Sequence, residues 1–95
     1  MPRLHQLNQS HYLAHCEHEL LLSLQQNDAI ILIEEGVLKV TSDETLLRTA
    51  KGLNIKVYAL ENDLKSYGLN SRKVEASSTA KWLQLTAEFE QHTAW

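Results

Sequence analysis

Cys16 is the only thiol in the chain, so any covalent sulfur chemistry carried by a side chain would have to begin there. A cysteine that carries sulfur as a persulfide must first be a thiolate, which requires a cationic or helix-terminal setting and access to solvent. His15 and His18 flank Cys16 and favour that state, whereas Glu17 and Glu19 oppose it. Cys16 also falls in the row Tyr12, Cys16, Leu20, Leu24, a four-residue repeat that marks the apolar stripe of a helix. Free cysteine is among the most buried residue types, so a small core or interface thiol outweighs a persulfide carrier at this position.

The histidines at 11, 15 and 18 offer a second kind of chemistry. On one helix they would line a single face, and a pair four residues apart can share a zinc ion. No H-E-x-x-H pattern and no cysteine pair supplies the remaining ligands, so a solvated or partner-facing row is favoured over a metal site. Glu34 and Glu35 end an apolar run at a place where open α/β sheets bind ligands. Neighbours on a strand point to opposite faces, which argues against an acid/base pair. Ser77 and Ser78 suit helix capping better than nucleophilic attack. Gly36, Gly52 and Gly68 stand alone at element ends, with no glycine-rich loop to cradle a phosphate, so no cofactor is expected.

The elements that would position these groups follow from periodicity. Leu4 to Leu7 reads as a strand, and Asn8 or Ser10 is placed to cap a helix running from Tyr12 to near Asn27. Ala29 to Ile33 is continuous and partly β-branched, which suits a central strand covered on both faces. Val37 to Val40 reads as a short extension of it. Ser42, Asp43 and Glu44 open a helix that buries Leu46, Leu47 and Ala50, with Gly52 as its C-cap. Ile55 to Leu60 is the next strand, Asn62 and Asp63 start a short helix that Gly68 ends, and Lys73 to Ala76 is an edge strand. A last helix, capped by Ser77 or Ser78, aligns Trp82, Leu85 and Phe89. Strands alternating with helices imply βαβ units: a small three-layer α/β/α domain with a mainly parallel sheet of four or five strands.

Ninety-five residues support one modest core, so residues 1–95 are read as a single domain. An apolar fraction of 43% against 22% charged argues against disorder. The formal net charge of −3 leaves no basic stripe for direct nucleic-acid binding. The longest apolar runs are about five residues against the ~20 of a membrane helix. One cysteine cannot close an intramolecular disulfide, and the opening residues lack a signal-peptide core, so a cytoplasmic setting is expected.

Several stretches, in order and spacing, resemble the TusB/DsrH family. Leu4-His5-Gln6-Leu7-Asn8-Gln9-Ser10 is similar to its L-H-x-L/V-N/H-x-S opening, and Ile33-Glu34-Glu35-Gly36-Val37 to its E/Q-D/E-G-V/I turn. Lys56 to Leu60 with Asp63-Leu64 and Gly68-Leu69 resembles its K-V/L-Y-x-L-x-x-D-L-x-x-x-G-L/F block, and Ala94-Trp95 its A-W ending. The resemblance implies a DsrE/F/H-like fold and a non-catalytic place in a TusBCD-like heterohexamer with TusC-like and TusD-like chains. That assembly takes persulfide sulfur from a TusA-like donor and hands it to a TusE-like acceptor for 2-thiolation of the tRNA wobble uridine. Related DsrH chains serve sulfur oxidation, some with a cysteine on the first helix. An ungapped pairing through Leu4, Ser10 and Glu34 places that cysteine at Leu20, where the thiol is absent.

Trp82 and Trp95 are the interface candidates, because tryptophan is enriched at binding hot spots and large aromatics at chain ends expose apolar surface. Trp95 packing back on its own core is the competing expectation. An isolated chain could also form homo-oligomers through the face its partners would cover. A DsrH-type subunit in sulfur oxidation, an active sulfurtransferase using Cys16 and a small metal- or ligand-binding α/β module are the alternative functions.

Overall fold

The computed structural model describes residues 2–70 and 74–95. Their strands are β1 (Arg3–Leu7), β2 (Ala29–Leu32), β3 (Lys56–Leu60), β4 (Glu75–Ser77) and β5 (Gln91–Ala94), and their helices are α1 (Ala14–Ser23), α2 (Lys39–Ser42), α3 (Glu44–Gly52), α4 (Glu61–Ser66) and α5 (Thr79–Glu88). The sheet runs β4-β3-β2-β1-β5, with every neighbouring pair parallel. This is the α/β architecture the alternation of patterns implied, with the apolar Ala29–Leu32 run as the middle strand, buried at every position.

The two faces are covered unequally. Leu7, Ile30, Leu32, Val57 and Ala59 point to the face packed by Leu20 of α1, Val40 of α2, Leu46 and Ala50 of α3 and Leu64 of α4. Leu4, Ala29, Ile31 and Tyr58 point to the opposite face, where α5 alone supplies Leu85, flanked by Trp82 and Phe89. The period-2 alternation of side chains along each strand produces this division.

Several boundaries differ from the sequence expectations, each for a local reason. Val37 to Val40 is not a strand extension: Glu34–Leu38 forms a 3-10 turn that runs into α2. Gly36 directs that turn, because a Cβ there would sit 2.3 Å from the Leu7 carbonyl oxygen. Neither Asn8 nor Ser10 caps α1, which starts later, after Leu13, and stops at Ser23 before a left-handed Asn27. After α3 the left-handed residue is Asn54 (φ 57°), not Gly52. Helix α4 begins at Glu61, one residue before the expected Asn62 and Asp63. Ser78, by contrast, does cap α5, accepting a hydrogen bond from the Lys81 amide. Of the expected edge strand, Glu75 and Ala76 lie in β4, while Lys73 falls outside the described residues.

Candidate functional site

Helix α1 carries the residues singled out for chemistry. Leu20, matched to the family's optional cysteine, is 1% exposed and faces the sheet. Cys16 lies one turn earlier and is half-buried. The helix is apolar outward too, since Leu22 on α1 and Leu13 before it are 72% and 70% exposed. His15 and His18 ride exposed on α1, whereas His11 precedes it, so the three imidazoles do not share one helix face. Among the described residues no group of three or more His, Cys, Asp or Glu side chains could hold a metal ion.

The start of α1 is held by charge. Lys39 is 1% exposed, and its Nζ donates to Glu17 Oε1 at 3.0 Å, to Glu17 Oε2 at 3.3 Å and to Asp43 Oδ2 at 3.1 Å. The ammonium also sits 5.4 Å from the centre of the Tyr12 ring. Glu17 Oε1 accepts the Tyr12 amide as well, in place of the cap expected from Asn8 or Ser10. A buried ammonium is tolerated because two carboxylates and an aromatic face replace its water.

At the carboxyl ends of the strands, Glu34 adopts φ 50° and its amide donates to Asp63 Oδ2, while Glu35 Oε1 accepts the Ser10 hydroxyl. These carboxylates therefore stand in a helical turn rather than on a strand. Ser77 is buried and donates to the Ser78 carbonyl, so both serines are engaged in the backbone around the start of α5. An open cleft between α3 and the β3 and β4 strands mixes Glu44, Arg48, Lys51 and Glu75 over Leu47 and Val74.

A second buried polar group is one the sequence patterns did not indicate. His5, on β1, is fully buried, and its Nε2 lies 2.9 Å from Asp28 Oδ2. Trp95 Nε1 is 3.2 Å from His5 Nδ1. An indole N–H can only donate, so Nδ1 must offer its lone pair and Nε2 must carry the proton toward the carboxylate. Asp28 also accepts the amides of Arg3 and Gln25. Burial pushes the Asp28 carboxyl upward, and the hydrogen bonds from His5, Arg3 and Gln25 outweigh that and hold it below the usual aspartate value. Trp95 is further tied by its amide to the Gln6 carbonyl, by its carbonyl to the Tyr12 hydroxyl, and by stacking on His5 at 6.3 Å between ring centres. Trp95 thus packs, partly buried, on its own domain, and Trp82 lies partly buried on the opposite face.

Outside comparisons bear on the fold and the family. A solution NMR structure of protein Tm0979 from Thermotoga maritima superposes with a TM-score of 0.54 at 21% identity, over 87% of this chain and 92% of that one, and so shares the fold. Protein TusB of Pectobacterium atrosepticum is 32% identical over 97% of this chain and 99% of its own length. Protein TusB of Salmonella typhimurium is 29% identical over 90% of this chain and 98% of its own. The family model described as DsrH like protein matches residues 9–92, and the chain therefore belongs to the DsrH-like family.

Proposed function

We propose that this chain is a non-catalytic docking subunit of a cytoplasmic TusBCD-like sulfur relay. In that role it assembles with TusC-like and TusD-like chains into a heterohexamer that moves persulfide sulfur from a TusA-like donor to a TusE-like acceptor for 2-thiolation of the tRNA wobble uridine. The observation that carries the reading is Leu20, which the family resemblance sets at the optional cysteine position and which is packed into the core. A sulfur carrier needs an accessible thiolate, and a leucine buried under a helix offers neither sulfur nor access. The apolar atoms that α1 leaves outward at Leu13 and Leu22 suit a partner-facing helix.

The test is stoichiometric co-purification with TusC-like and TusD-like proteins, joined to complementation of tRNA thiolation by a Cys16→Ser variant. Full thiolation with that variant supports the docking role. A gain of one sulfur atom on Cys16 after incubation with a persulfide donor, together with lost thiolation in Cys16→Ser, would transfer the chemistry to this chain and overturn the reading.

A further inference from the structure

We infer that the outer edge of β5 is a docking edge for an extended segment of a partner chain carrying an acidic side chain, which adds to the sheet beside Gln91–Ala94. The inference rests on the docking-subunit reading and names the surface it would use.

The backbone direction follows from register. Gln6 lies opposite Ala94, and the Trp95 amide donates to the Gln6 carbonyl. In a parallel pair, alternate residues of a strand turn both N–H and C=O to the same neighbour. Gln91, Thr93 and Trp95 therefore face β1, and His92 and Ala94 turn their amides and carbonyls away from the sheet. Exposed edges of this kind are normally blunted by lysine, proline, charge or brevity. The opposite edge has such features: β4 is only three residues long and carries the exposed Glu75. Gln91-His92-Thr93-Ala94 has no charged residue and no proline.

The edge is also held ready. Trp95 fastens one end of β5 through His5, Gln6 and Tyr12. Arg3 lies across the strand, donating from Nη1 to Thr93 Oγ1 at 2.8 Å and from Nη2 to Gln91 Oε1 at 3.3 Å. An edge already ordered loses little conformational freedom when a strand is added. Both acceptors of Arg3 are neutral, and no ion pair joins its guanidinium to a carboxylate of the described residues. A guanidinium at the rim of an open edge favours an incoming carboxylate, and it disfavours a second copy of β5, which would bring two Arg3 side chains to the same seam.

The experiment is hydrogen exchange on the full chain, alone and co-purified with its TusC-like and TusD-like partners, with capture repeated for Ala94→Pro and Arg3→Glu. Proline at position 94 removes only an outward-facing amide and spares the bonds to β1. Complex formation should slow exchange of the His92 and Ala94 amides at least tenfold, and each variant should lower capture at least tenfold while its circular dichroism matches wild type. Capture with unchanged exchange at His92 and Ala94, or variants that capture normally, overturns the docking edge and leaves the docking-subunit reading standing. Wild-type chain that captures neither partner overturns both. Protection of the same amides in the isolated chain, with self-association, would assign the edge to a second copy and overturn the acidic partner.

Discussion

Two buried polar groups sit on the same face of the sheet and work in opposite ways. Under α1, Lys39 is a full cation whose charge is met by two carboxylates and a ring. Beside β1, His5 bridges Asp28 and Trp95, and one tautomer satisfies both neighbours. The first fixes an element by charge, and its partners Glu17 and Asp43 still reach solvent at 29% and 22% side-chain exposure. The second fixes an element by hydrogen-bond direction, and its His5 and Asp28 side chains are 1% and 2% exposed. Each fastens a segment with little apolar burial of its own, the start of α1 in one case and β5 in the other. Polar anchors of this kind extend the ordered surface beyond the apolar clusters on the two faces of the sheet.

Removing the cation should have the largest effect. Lys39→Ala leaves two carboxylates without their partner and should cost about 3 to 5 kcal/mol in urea unfolding. Lys39→Met keeps the packed stem, so the loss common to both variants measures the charge; a fully stable Lys39→Met would reduce the anchor to packing.

Asp28→Asn follows at about 2 to 3 kcal/mol, since one of the two oxygens that between them accept from His5, Arg3 and Gln25 is replaced by a donor. Because the folded-state carboxyl is held below its unfolded value, its contribution is present above that unfolded value, about 3.9, and fades as pH falls through the folded value. Wild type should therefore lose stability below about pH 4 more steeply than Asp28→Asn. Equal acid slopes would break the contrast between the two anchors.

Trp95→Phe keeps an aromatic side chain but deletes the indole N–H and part of its packed surface, which should cost about 1 to 2 kcal/mol and speed amide exchange across β5 but not β2. Uniform acceleration in both strands would show that the indole bond supports the whole domain rather than one edge. Cys16→Ser, outside both anchors, should change stability by less than about 1 kcal/mol.

The parts of the fold that read clearly from sequence are those that pack by local pattern. β2 announces itself because both of its faces are covered, and α3 because Asp43 caps it and Leu46 and Ala50 recur on one side. The run from Val37 to Val40 resembled a strand because short apolar runs carry no clear period, and the close approach of Gly36 to Leu7 decides otherwise. β5 gave no strand signal, since Gln91-His92-Thr93-Ala94 lacks an apolar alternation and is ordered by pairing with residues near the opposite end of the chain. The His5–Asp28–Trp95 group was equally hidden, with the first pair 23 positions apart in the chain and the second 90. Its one local signal is a histidine in the middle of a short strand. The family resemblance located the Glu34-Glu35-Gly36 turn by motif, yet only the backbone explains why its middle must lack a Cβ.

The two indoles also give the domain a pair of built-in spectroscopic reporters. Trp95 Nε1 donates to a ring nitrogen on one face of the sheet, while Trp82 Nε1 is buried on the other with no acceptor among the described residues. In a nitrogen-proton correlation spectrum the hydrogen-bonded indole resonates downfield of the unbonded one, so two side-chain peaks separate the faces. A titrant that moves the first alone has disturbed the seam between β1 and β5; one that moves the second alone has reached α5.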